Sequence, residues 1–231
     1  MTTLAGRITA TQTTILDNTI VPVALEMMRI FPDGIVIASG IYALITMSTP
    51  YAVFFASMIE STVAFRFIQW VAAYVNSSSL APSVASLTNK CRTGFMQPTA
   101  TMNSLSMFSL LGSPFPSAPI FMLATASSYI FTTLSLQSKE LEALGPAYSS
   151  RYYISLVFLF MLLFLFCAFR MAYECDSFGV IMLTLPIALV LGVALVFQNQ
   201  RLFGATSVNL LGIPILQNRT ANGQTIYVCP K

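Results

Sequence analysis

The apolar positions of this chain fall into long uninterrupted blocks separated by polar segments, not into alternating faces. Ile154–Met171 (ISLVFLFMLLFLFCAFRM) carries one charge, Arg170, near its end, and Phe178–Phe197 (FGVIMLTLPIALVLGVALVF) carries none. At 1.5 Å of rise per residue each block matches the roughly 30 Å hydrocarbon core of a bilayer. Each central Leu, Ile, Phe or Val favours insertion by about 0.3–0.6 kcal/mol, which outweighs one terminal Arg able to reach the headgroups. The link Ala172–Ser177 is long enough only for a turn, so the two spans predict an antiparallel hairpin.

Two further blocks are less regular. Ile35–Ile59 has no charge but contains Pro50, which removes a backbone donor and predicts a kink inside a single span. Ser117–Leu136 is interrupted by Ser and Thr, whose hydroxyls can bond across helices or back to their own carbonyls inside a bundle. A re-entrant or surface helix is the alternative there. Ser61–Val75 (STVAFRFIQWVAAYV) follows Glu60 and sets Arg66, Trp70 and Tyr74 at helical spacing. That pattern predicts an interfacial helix anchored by Glu60, Arg66 and Trp70, not a fifth span. Residues 76–116, rich in Ser, Thr and Pro, read as a loop.

The tail from Gln198 to Lys231 changes character. Ile215–Arg219 and Gln224–Val228 flank a polar turn containing Asn222-Gly223, the dipeptide suited to a type I′ turn, which predicts a small β-hairpin. An isolated hairpin is marginal in water and needs a surface to pack on. Leu210, Leu211, Ile213, Ile215, Ile226 and Tyr227, with Asn222 and Gly223 at the reversal, are therefore the candidate partner-docking residues. The tail is too apolar for a disordered extension.

The sequence thus reads as an all-α polytopic transmembrane bundle of about four spans with a small C-terminal β-hairpin. Its divisions are an N-terminal segment 1–34, a membrane domain 35–197 and a polar tail 198–231. The spans are 35–59, 117–136, 154–171 and 178–197, with the interfacial helix 61–75 and the loop 76–116 between the first two. Composition agrees: 56% of residues are hydrophobic and 8% charged, where a soluble domain is about a quarter charged. The net charge of +3, with no basic tract, argues against a nucleic-acid partner. The lipid bilayer is the partner the composition implies, and a homo-oligomer is compatible with it.

Four spans would place the amino-terminal segment, the 137–153 connection and the tail on one side, with Arg7, Arg29, Lys139, Arg151, Arg201, Arg219 and Lys231. The other side would hold Arg66, Lys90, Arg92 and Arg170. That bias puts both termini on the cytoplasmic side. The first residues lack a basic region followed by an apolar core, so no cleavable signal is expected.

Catalytic chemistry is sparse. The chain has no histidine, which removes Ser/His/Asp and Cys/His nucleophilic systems and histidine-bearing zinc motifs. It has no GxxxxGK[ST] or GxGxxG phosphate cradle either. No catalytic, cofactor-binding or metal-binding residue is expected, no cofactor is implied, and the chain does not read as an enzyme. Four cysteines, Cys91, Cys167, Cys175 and Cys229, form no CxxC. Cys167 lies within a span and reads as packing. Cys91 and Cys175 share a side in the four-span arrangement, so topology allows a disulfide between them, with free thiols the alternative. Glu60 and Arg66 sit on different helix faces, which favours interface anchoring over an ion path. Arg170 and Glu174, four residues apart, can pair. A channel or transporter is the competing class, suggested by kinked, Ser/Thr-rich spans, although the cluster of buried charges such paths require is missing.

Several strings carry a family resemblance: PDGIVIASGIYALIT (Pro32–Thr46), ALGPAYSSRYYISL (Ala143–Leu156), ECDSFG (Glu174–Gly179), QNQRLFG (Gln198–Gly204), and NLLGIP followed by RTANGQTIYVCPK. They resemble small multi-spanning membrane proteins encoded by nucleocytoplasmic large DNA viruses, most strongly over Ala143–Lys231. The resemblance implies a protein of the internal virion membrane, and of host membrane during assembly. The implied role is a membrane-anchored minor capsid or assembly component whose partners are capsid proteins or other virion membrane proteins. It supplies no catalytic residues.

Overall fold

A computed structural model of the chain describes residues 21–75, 115–138, 141, 146–173 and 175–211. The described part is helical: α1 (Val21–Thr46), α2 (Thr49–Val75), α3 (Ala118–Leu136), α4 (Pro146–Ala172) and α5 (Phe178–Phe203), followed by a 3-10 turn, Ala205–Val208. Four helices are long and apolar enough to cross a membrane, over Thr49–Ala72, Ala118–Leu136, Tyr152–Ala172 and Phe178–Phe203. The expected β-hairpin around Asn222-Gly223 lies outside the described residues.

The amino-terminal half corrects the single kinked span 35–59. The chain reverses at Met47, which takes the left-handed conformation (φ 47°), and α2 begins two residues later. Pro50 falls in the first turn of α2, where its missing N–H has no helical acceptor to lose, so it starts a helix instead of bending one. The Ala52 amide closes that turn on the Ser48 carbonyl at 3.1 Å. α1 and α2 then pack antiparallel. Tyr42 meets Tyr51 edge-on with centroids 4.6 Å apart, and Gly40 lies so close to Phe55 that an added Cβ would come within 2.9 Å of its ring. The interfacial helix expected at 61–75 is likewise not separate. No Gly or Pro interrupts the chain between Tyr51 and Val75, so α2 runs through Glu60 as one helix.

The segment whose Ser and Thr residues most diluted its apolar character forms the centre of the bundle. Of the apolar stretch of α3, 78% is buried inside the protein, against 28% for α2, 11% for α4 and 33% for α5. α3 packs on all four other helices, most extensively on α5. A helix facing protein on every side can carry hydroxyls, whereas α4 shows Phe158, Phe160 and Phe164 outward, as a lipid-facing helix does. Ser117 precedes α3 in an extended conformation with Pro119 in the first turn, and Ser177 caps α5 by accepting from the Val180 amide.

α3 and α5 run parallel and meet along a seam of small residues. Thr184, Ala188 and Gly192, four residues apart on α5, are all buried. At Gly192 an added Cβ would fall 2.5 Å from the Thr125 carbonyl oxygen and 2.7 Å from Ser128 Cβ. So close an approach lets side chains reach the neighbouring backbone: Thr125 Oγ1 donates to the Ala188 carbonyl at 3.3 Å and Ser128 Oγ to that of Leu189 at 2.7 Å. The Ser117 amide donates to Thr184 Oγ1 at 3.2 Å. Small residues drive helix association in lipid, where water supplies no hydrophobic force between helices.

Two ends of the bundle follow. At one, the tail end, lie the α1–α2 reversal, the last turn of α3 and the end of α5. At the other, the turn end, lie the start of α3, the α4–α5 turn and the far end of α2. Because α1 runs antiparallel to α2, with Ile35 and Val36 packed in the same core cluster as Phe65, Ala118 and Phe121, Val21 and Leu211 lie at opposite ends. The shared side expected for the termini counted Ile35–Ile59 as one crossing; splitting it into two antiparallel helices changes that parity.

Candidate functional site

Two polar clusters and one exposed aromatic row stand out from the apolar packing. At the tail end, Asn199 is the hub. Its Nδ2 donates to Ser57 Oγ at 2.7 Å and to Tyr129 Oη at 3.1 Å, which joins α5 to α2 and α3. Ser57 passes its own proton to the Val53 carbonyl at 2.8 Å. All three side chains are buried, so in a low-dielectric interior these bonds fix the helix register, and leaving one unmade would be costly. Replacing Asn199 with Leu should lower stability by about 1–3 kcal/mol through the stranded Tyr129 and Ser57 hydroxyls. Unfolding in mild detergent measures it, and no loss would remove the hub.

The same end receives the start of the tail. Gly204, at φ 84°, ends α5, and its amide closes on the Gln200 carbonyl at 3.0 Å. The 3-10 turn then folds back onto the bundle. Ser207 Oγ shares its proton between the Gly204 and Asn199 carbonyls at 2.7 and 3.3 Å. Val208 enters a core cluster with Tyr129, Leu195 and Val196, which Leu210 flanks. Tyr51 Oη donates to the Leu210 carbonyl at 2.7 Å, and Gln137 Nε2 approaches the Val208 carbonyl at 3.4 Å. Of the candidate docking residues, Leu210 is thus partly buried against its own bundle while Leu211 is exposed. Ile213, Ile215, Asn222, Gly223, Ile226 and Tyr227 lie outside the described residues.

At the turn end, Arg170 of α4 and Asp176 of the α4–α5 turn form an ion pair whose side chains are only 8% and 7% exposed. Asp176 Oδ2 also accepts from Ser117 Oγ at 2.7 Å, so one carboxylate binds α4, the turn and the start of α3. The sequence suggested Arg170 with Glu174 by helical spacing; the chain leaves the helix after Ala172, which brings Asp176 to Arg170. Beside it, Cys175 is disulfide-bonded, its partner lying outside the described residues, and Cys167 is a free thiol buried against Ile120, Leu123 and Ile181.

The three interface anchors are not brought together. Glu60 is exposed and accepts from Gln198 Nε2 of α5 at 2.9 Å. Arg66 donates to Gln69 Oε1 at 3.3 Å on its own helix. Trp70 is 65% exposed, in a row with Phe67 and Tyr74 at centroid distances of 6.1 and 6.2 Å. An exposed aromatic row beyond the buried part of a spanning helix suits a membrane–water interface. Sequence reasoning missed Asn199 and Asp176. The signal for Asn199 was a polar QNQ run directly after an apolar block; for Asp176 it was a carboxylate in a turn too short to carry it away from Arg170.

Among the described residues no three His, Cys, Asp or Glu side chains converge as a metal site would need. No protein-family profile, curated protein or solved structure matches the chain. What the geometry offers is mechanical: two polar fastenings at opposite ends of a lipid-facing bundle, one of which holds the root of the tail.

Proposed function

We propose that this chain is a structural membrane protein of a large DNA virus virion, a minor capsid or assembly component that anchors the capsid shell to the internal membrane. The observation that supports an anchor over a conduit is the state of the α3 hydroxyls. A water-filled path would present them to an open lumen, yet Thr125, Ser128, Thr132 and Thr133 are buried and each donates to a backbone carbonyl within 3.3 Å. The Ser/Thr content that suggested a channel is accounted for by packing. The viral assignment itself rests on the strings within Ala143–Lys231, of which QNQRLFG ends α5 and NLLGIP begins as the tail root docks.

In this reading the bundle holds to lipid through α4, α5 and the Phe67–Trp70–Tyr74 row, and the chain beyond Leu211 reaches the shell or a neighbouring virion membrane protein. The docked root, Ser207–Leu210, would transmit load from that chain to α2, α3 and α5 instead of leaving it on a free hinge. Ending the chain after Leu211 keeps the root and removes the reaching part. In virions assembled with this truncated protein, insertion and detergent stability should be preserved, while its amount relative to the major coat protein falls by at least tenfold. Incorporation at the normal ratio would assign the assembly contact to the bundle.

A further inference from the structure

Cys175 is disulfide-bonded, and Cys167, the other described cysteine, is a free buried thiol. Its partner is therefore Cys91 or Cys229. The two are separated by topology. Cys229 belongs to the chain after Leu211, which departs from the tail end, where Tyr51 holds Leu210 and Gln137 holds Val208. Cys91 belongs to the connection between α2 and α3, which leaves and rejoins the bundle at the turn end. There Phe65 of α2 stacks edge-on against Phe121 of α3 at 5.3 Å, and Ser117 bonds Asp176, the neighbour of Cys175. A thiol from the tail would have to cross the bilayer to reach Cys175; one from the α2–α3 connection is already on that side.

We infer that Cys175 is cross-linked to Cys91, that the turn end of the bundle faces an oxidising compartment, and that the tail faces the reducing side. Disulfides persist in oxidising compartments and are rare where glutathione and thioredoxin keep thiols reduced, so a structural cross-link reports which side its end of the protein occupies. Basic residues no longer do. With α1 and α2 as separate antiparallel helices, connectivity assigns Lys139, Arg151, Arg201, Arg219 and Lys231 to the tail end. It assigns Arg7, Arg29, Arg66, Lys90, Arg92 and Arg170 to the turn end. Five against six carries no orientation.

The cross-link has a suitable foundation. Cys175 lies between the buried ends of the Arg170–Asp176 pair, and its amide donates to the Arg170 carbonyl at 2.9 Å, so the turn cannot swing away. A bond from it would tie the long α2–α3 connection to a platform shared by α3, α4 and α5. Forming it releases two protons and two electrons from the Cys91 and Cys175 thiols; the acceptor is the disulfide of a thiol oxidoreductase on that side, reduced to its dithiol.

The full-length protein in sealed microsomes, whose lumen is oxidising, tests both halves. After alkylation and non-reducing digestion, mass spectrometry should find the Cys91 and Cys175 peptides joined and Cys229 alkylated as a free thiol. A membrane-impermeant maleimide added outside should label Cys229 in intact vesicles. In Cys175→Ser, the freed Cys91 should label only after permeabilisation. A Cys175–Cys229 peptide, or Cys91 alkylated in the unreduced wild type, overturns the pairing. Labelling of Cys229 only after permeabilisation overturns the orientation. The mass measurement uses the wild-type protein, so it stands whether or not the variant folds.

Discussion

Gly192→Leu should prevent α3 and α5 from closing, leaving a protein that inserts but does not reach its packed state. Gly192→Ala should already weaken it measurably. Helix propensity alone predicts the opposite for Ala, a gain of about 0.8–1.0 kcal/mol over Gly. The Cβ, however, would lie 2.5 Å from a backbone oxygen of α3 and 2.7 Å from Ser128 Cβ, and neither atom can rotate aside. Overpacking of this kind costs about 1–3 kcal/mol, so the clash outweighs the propensity. Displacing α5 would also lengthen the Thr125–Ala188 and Ser128–Leu189 bonds and strand two hydroxyls in an apolar interior. Gly179→Ala is the control, because nothing lies within 4 Å of its Cβ and only the propensity change remains. Thermal unfolding in mild detergent should rank Gly179→Ala at or above wild type, then Gly192→Ala, with Gly192→Leu showing no cooperative transition. Equal behaviour of the two Ala variants would remove the seam from the account of stability.

How much of this was legible in the sequence divides along physical lines. The hairpin of α4 and α5 was, because lipid-facing helices announce themselves by uninterrupted apolar residues and a link too short to do anything but turn. The existence of α3 as a span was also legible; its place at the centre was not. Ser and Thr lower apolar character equally whether they face water or a neighbouring carbonyl, and only the approach at Gly192 decides between the two. The break at Met47–Ser48 was hidden for a different reason. Pro50 bends a helix when it is interior and starts one when it is in the first turn, and the apolar block around it is the same in both cases. The polar fastenings were invisible because both join residues distant in sequence, Asn199 to Ser57 and Ser117 to Asp176, with no shared periodicity to betray them.

Neutralising Asp176 is the second change expected to have a large effect. Asp176→Asn keeps an oxygen to accept from Ser117 Oγ but leaves the Arg170 guanidinium without its counter-charge in a site where that side chain is 8% exposed. Breaking a buried pair by removing one partner costs about 3–5 kcal/mol, chiefly the penalty of an uncompensated buried charge. Removing both charges avoids that penalty, and apolar replacement of a buried pair is often neutral or stabilising. The double variant Arg170→Met/Asp176→Asn should therefore be more stable than Asp176→Asn alone, an inversion that no loss of hydrogen bonding at Ser117 would produce. The cycle is completed by Arg170→Met, which strands the carboxylate with only the Ser117 hydroxyl. Unfolding midpoints of the four proteins in the same detergent, with the Cys175 disulfide left oxidised, should give a coupling energy of about 2–3 kcal/mol, towards the upper end of the range for residues in one ion-pair network. If the single effects simply add, the guanidinium is being solvated by water or headgroups at the membrane surface, and the tie among α3, α4 and the turn is carried by Ser117 alone.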